Sequence, residues 1–200
     1  MDIMDAGSGA LLKRHVLPRP RREAAWYALT PSRLIAMGGL GPDGSPAATL
    51  EHIYTDDFFV VPGTALPTPL RLAQVHALPG GQLGLLGGLD AKGTLGGELR
   101  VYHPKEGFFL TLATLKTPRS GAQLSTLGSS WLLVSGGRDA QGRTIADVER
   151  IHLDQGKVQS CRPAQPGVGA LAALPLAEGS VMVLHCGPRQ AVYRIPPPPQ

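Results

Sequence analysis

The stretch LLVSGGRDAQGR, residues 132–143, is an apolar run that ends in a glycine doublet and passes into a turn rich in Asp and Gly. Two earlier stretches follow the same plan: LIAMGGLGPDGS at residues 34–45 and LGLLGGLDAKGT at residues 83–94. Their doublets, Gly38-Gly39, Gly87-Gly88 and Gly136-Gly137, stand 49 positions apart, and Cys186-Gly187 continues the register one position late. Gly44, Gly93 and Gly142 each follow the doublet by five residues, and Asp90 and Asp139 lie two residues after it in the later copies. Asp and Gly at these offsets favour tight or left-handed turns, so each stretch reads as a strand leading into a hairpin loop.

Outward from the doublets the copies keep agreeing. Rings recur at Tyr54, Tyr102 and His152, read as packing between sheets, and a second apolar site follows at Phe58-Phe59, Phe108-Phe109 and Val158. A proline turn then leads to the next strand. Each unit is four strands, for example 122–127, 131–137, 147–153 and 157–162. A period near 50 built from short strands and glycine turns predicts an all-β propeller array, with the doublets as strand ends crowded at a shared centre.

This pattern resembles the kelch repeat, most closely over TPRSGAQLSTLGSSWLLVSGGRDAQGRTIADVERIHL, residues 117–153, and nearly as well through Gly87, Gly88, Tyr102 and Phe108. The resemblance implies a partial kelch-type β-propeller of about three and a half four-stranded blades over residues 24–195, with units around 34–62, 71–113, 122–162 and 170–195. Trp26, Pro31 and Arg33 resemble the last strand and exit turn of a blade. Pro31 precedes Gly38 by only 7 positions, against 18 for Pro69 to Gly87 and for Pro118 to Gly136, so one strand is expected to be missing. Strand 24–29 is then free to pair with the final unit and close a small ring, and the chain reads as a shortened product of a longer kelch protein.

Composition narrows the class. Hydrophobic residues make up 42% and charged residues 17% of the 200, with 26 Gly and 19 Pro, as many short strands and turns require. No apolar run reaches the ~18 residues of a spanning helix, so no membrane association is expected. Residues 1–23 carry no secretory pattern, so a cytoplasmic or nuclear location is expected. Their basic cluster Lys13, Arg14, Arg19, Arg21 and Arg22 is read as a flexible, solvated tail that would also serve nuclear import. It lacks the interleaved aromatics of a nucleic-acid surface, so nucleic acid is not expected as a partner. Cys161 and Cys186 are expected as reduced thiols, and IPPPPQ ends the chain in a Pro-rich tail, residues 196–200.

No catalytic set is recognisable. The six histidines lack metal-site spacing, and the carboxylates, including Asp147 and Glu149, read as surface charges. No cofactor or metal is expected. The function expected is that of a protein-interaction adaptor presenting rim loops to a protein or peptide partner, an acidic one being favoured by the arginines. Asp90, Lys92, Arg138, Asp139 and Arg143 are the candidates after the doublets, with Arg33, Arg71 and Arg119 at the proline turns. The resemblance further implies substrate recognition for a cullin-type ubiquitin ligase; the alternatives are a kelch-fold enzyme of sugar mutarotase or copper oxidase type, or a short regulatory or non-functional isoform. Open sheet edges would be covered by another chain.

Overall fold

The computed structural model describes residues 2–14, 16–161, 169–175, 181–186 and 191–195. Three antiparallel four-stranded sheets follow one another along the chain. The first comprises β3 (Ala25–Thr30), β4 (Arg33–Met37), β5 (Leu50–Tyr54) and β6 (Val60–Pro62), each beside the next, and it is preceded by a hairpin of β1 (Asp2–Met4) and β2 (Leu11–Arg14). The second comprises β7 (Gln74–Leu78), β8 (Gln82–Leu86), β9 (Glu98–His103) and β10 (Phe108–Thr114). The third comprises β11 (Gln123–Leu127), β12 (Trp131–Ser135), β13 (Val148–His152) and β14 (Val158–Cys161). A three-stranded sheet of β15 (Gly169–Pro175), β16 (Val181–Cys186) and β17 (Ala191–Ile195) ends the array. Successive first strands touch, β3 with β7, β7 with β11 and β11 with β15, so the sheets are arrayed as propeller blades about their innermost strands.

The apolar runs are second strands covered on both faces. In β8, Leu83 and Leu85 pack with Ile35, Met37 and Leu50 of the first blade, while Leu86 joins Leu132, Val134 and Ile151 of the third. Side chains alternate across a strand, so a blade wedged between two others reads as a continuous hydrophobic segment.

The first two glycine doublets lie against the turn that leads into the next blade. Gly87 and Gly88 adopt φ of 66° and 93°. A Cβ on Gly87 would strike the Arg119 carbonyl in the turn leading into the next blade, and one on Gly88 would come within 2.8 Å of the Arg71 carbonyl of its own blade. The Gly88 amide donates to the Arg119 carbonyl at 3.3 Å, and Gly39 donates likewise to Leu70 at 2.7 Å. The first two doublets therefore stitch a blade to its successor through backbone that no side chain could approach.

The first blade is not short of a strand. Residues 25–30 pair with β4, Trp26 standing opposite Ala36, so this segment neither closes onto the final unit nor forms the last strand of a blade. Thr30–Arg33 is the tight turn between the first two strands, and the counterpart of Pro69 and Pro118 is Pro20, which precedes Gly38 by the same 18 positions. The Arg22 amide and carbonyl both bond to Leu40, at 3.1 and 2.8 Å, as those of Arg71 bond to Leu89, so Arg21-Arg22 belongs to the blade and not to a tail. Gly187, the basis of the fourth doublet, and the tail 196–200 lie outside the described residues.

Candidate interaction rim

The loops after the doublets and the proline turns share one rim, because backbone bridges join them: Arg22 to Leu40, Arg71 to Leu89 and Ser120 to Arg138. Asp90 Oδ1 accepts the amides of Lys92 and Thr94, both at 2.8 Å, and Asp139 Oδ1 accepts those of Gln141 at 2.9 Å and Arg143 at 2.8 Å. The bond from Thr94 is foremost in holding the Asp90 carboxyl below its ordinary range. The aspartates thus cap their own turns. Lys92, Arg138 and Arg143 are exposed. Arg138 reaches the Gly142 carbonyl at 2.8 Å, Arg143 Nε donates to Asp139 Oδ2 at 2.7 Å, and Arg71 pairs with Glu23 at 2.8 Å.

Arg119 is not available to a partner. Its side chain is 0% exposed and pairs with Glu149, 1% exposed, at 2.6 Å. It also donates to the carbonyls of Thr117, Gly136 and Asp147, at 3.1, 3.1 and 2.8 Å. Glu149, expected at the surface, further accepts the amides of Lys116 at 2.8 Å and Thr117 at 3.2 Å, locking the turn that leads into the blade. Burial pushes the Arg119 pKa down, and Glu149 draws it back. The same device holds the first blade: Arg21 meets Glu51 at 2.7 Å, with both side chains buried, and donates to the carbonyls of Gly38 and Thr49 at 2.9 and 3.2 Å. In the middle blade these two positions carry Leu70 and Arg100, the latter paired with Glu98. Glu51, Arg100 and Glu149 stand 49 residues apart, a signal present in the sequence.

Arg33 lies at the opposite end of its blade from the doublet and so on the other rim. Its Nε is buried and has no hydrogen-bond partner among the described residues, as is true of His52 Nδ1. Burial, with the nearby Arg33 charge second, lowers the His52 pKa.

The recurring ring is displaced by one residue in the middle blade. Arg33, Gln82 and Trp131 face Tyr54, His103 and His152 across the strands, so His103 is the counterpart of the other two. Tyr102 instead takes the place of Ile53 and Ile151; it is 1% exposed and packs on Phe109 with ring centroids 4.8 Å apart. A one-residue slip moves a side chain to the other face of a strand. Tyr54 is 36% exposed, His152 meets Trp131 edge-on at 4.7 Å, and Phe108, 39% exposed, stacks on His103 at 4.4 Å, so these rings decorate the far rim and do not pack the sheets together. Trp26 is 41% exposed. Cys161 is a half-buried free thiol whose pKa burial raises. Among the described residues no three His, Cys, Asp or Glu side chains gather as metal ligands, and no helix is long and apolar enough to cross a membrane.

No protein-family model and no curated protein matches the chain. Among solved structures, YjhT, a kelch-type propeller protein, aligns with 82% of this chain at a TM-score of 0.67 and 12% sequence identity. The chain spans 58% of the length of YjhT. Together with the three four-stranded sheets, that likeness establishes an all-β, kelch-type propeller fold.

Proposed function

We propose that this chain is a protein-interaction scaffold whose doublet-side rim receives an acidic peptide. The observation that carries the reading is the gathering of Arg71, Lys92, Arg138 and Arg143 on one rim, while Asp90 and Asp139 are occupied with their own turn amides. Basic side chains held by short backbone and carboxylate contacts are preorganised donors, and each charge-assisted bond to a partner carboxylate contributes about 1.5–3 kcal/mol. Substrate recognition for a cullin-type ubiquitin ligase is the finer form of this proposal and rests on the kelch resemblance. The likeness to YjhT bears on the fold and does not favour a mutarotase-type enzyme over a scaffold.

The test is capture of glutamate- and aspartate-rich peptides from a synthetic library, by the parent chain and by the combined variant Lys92→Ala, Arg138→Ala, Arg143→Ala. The expected result is salt-sensitive binding that the variant weakens roughly tenfold or more at an unchanged melting temperature. Binding that the variant leaves intact, or no preference for acidic over neutral peptides, refutes the proposal.

A further inference from the structure

The β1–β2 hairpin repeats the outer half of a blade. Asp5 N–H donates to the Ala10 carbonyl at 2.8 Å and Gly9 N–H to the Asp5 carbonyl at 2.9 Å; His152 and Gly156 make the same bonds, to Lys157 at 2.9 Å and to His152 at 2.8 Å. The glycines adopt φ of 68° and 64°. Met4 pairs with Leu11 as Ile151 pairs with Val158, an offset of three whole repeats. The hairpin also sits where a preceding blade would. The Lys13 ammonium lies 4.8 Å over the Phe58 ring, and in the later blades the corresponding turn glycines meet the preceding blade: Gly107 accepts from Thr64, and Gly156 abuts the Leu112 carbonyl.

What differs is the inner edge. β5, β9 and β13 are each flanked by a second strand, whereas β1 pairs with β2 alone among the described residues. Strand bonds alternate in direction; because Asp5 donates to β2, the Met4 amide faces the open edge. Beside that edge lies a cavity of about 600 Å³ lined by Asp2, Arg14, Val16, Leu17, Pro20 and Trp26 among others. Two of its apolar lining residues, Val16 and Trp26, are 81% and 41% exposed, and Met4 on β1 is 53% exposed. Val75 and Leu124, the counterparts of Trp26, pack into the hydrophobic clusters that join their blades to the one before. The Leu70 and Arg119 carbonyls accept a doublet amide from the preceding blade, and their counterpart, the Arg21 carbonyl, has no such donor among the described residues.

We propose that this seat binds an extended apolar polypeptide strand, running antiparallel to Asp2–Met4 and ending in two glycines. The chemistry is read from the occupants of the three equivalent seats, RLIAMGG, QLGLLGG and WLLVSGG. Main-chain bonds to β1 supply the pairing, an apolar side chain fills the cavity beside Trp26, and the glycines allow an amide to approach the Arg21 carbonyl. This sheet-edge seat is separate from the basic rim and does not depend on it.

The experiment uses a fluorescent peptide of residues 32–41, SRLIAMGGLG, titrated with the full chain and read by anisotropy. Saturable binding is expected. It should weaken at least tenfold when the peptide is scrambled, when both glycines become alanine, and when the peptide is N-methylated at the amides corresponding to Leu34 and Ala36, a change that leaves the protein untouched. Met4→Pro in the protein should abolish binding at an unchanged far-UV spectrum. Equal binding of the scrambled or N-methylated peptide overturns the proposal. Self-association of the chain that the peptide cannot displace would assign the seat to a second copy and overturn it as well.

Discussion

Arg119→Ala should be the most damaging single side-chain truncation in the third blade. The guanidinium makes four donations, to Thr117, Gly136, Asp147 and Glu149, at 2.6–3.1 Å and entirely out of solvent. Its removal leaves Glu149 as a buried charge retaining only the amides of Lys116 and Thr117. Breaking a buried pair from one side costs about 3–5 kcal/mol, because the remaining ion is desolvated and unpaired. In a chain of this length that corresponds to a fall of roughly 6–20 °C in melting temperature. Arg119→Leu combined with Glu149→Leu should recover most of the loss, since the pair's desolvation penalty disappears with its attraction. The middle blade already accommodates an apolar residue there, Leu70 being only 3% exposed. Urea titrations of the parent, Arg119→Leu, Glu149→Leu and the double variant form a cycle that isolates the coupling. An Arg119→Ala variant within about 0.5 kcal/mol of the parent, or a double variant as unstable as the single, refutes the reasoning.

The same physics extends to the first blade: Arg21→Ala, or deletion of residues 1–23, should destabilise it through Glu51, and limited proteolysis should then cut first within residues 25–62; an unchanged cleavage pattern would return 1–23 to the status of a tail. Gly93→Ala should cost about 1–2 kcal/mol, the price of a left-handed alanine with nothing within 4 Å of its Cβ, whereas Gly87→Ala adds collision with the Arg119 carbonyl and should exceed about 3 kcal/mol; equal melting temperatures would refute the inter-blade contact. Burial lowers the pKa of His52 and of His76 below the ordinary value of about 6.5, so folding favours their neutral forms; their contribution is complete above that pH and is lost as pH falls towards the depressed folded-state values. Replacing both with glutamine should flatten the decline in urea midpoint below about pH 6.5, and an identical decline in the variant would refute it.

The repeat was legible because its signal is steric. Gly38 and Gly87 answer to positive φ and to a backbone carbonyl where Cβ would sit, so no other residue serves and the spacing survives intact. The strands of the third blade are legible for a related reason, as β12 is covered from both sides and is apolar from Trp131 to Val134. The first blade is ambiguous in sequence because two proline segments compete. Thr30–Arg33 has the composition of a blade-to-blade turn but closes a hairpin, while Pro20, at the correct interval from Gly38, is hidden in a basic run. Charge density there suggested solvent, yet Arg21 is drawn inside by a carboxylate 30 residues away, a contact that no local pattern announces. Tyr102 shares its residue type with Tyr54 while the 49-residue spacing points to His103, and one position on a strand separates the core from the rim.

Interval thus carries more than residue identity in this chain. Applied to the carboxylates, it pairs Glu51 with Glu149 and exposes the charge reversal at Arg100; applied to the turns, it identifies Gly9 with Gly156. The candidate rim was legible only in part, because an arginine's exposure depends on what the adjacent blade places opposite it. Arg119 faces Glu149 and is consumed by the fold, whereas Arg138 and Arg143 face turn atoms of their own loop and keep their guanidinium groups at the surface.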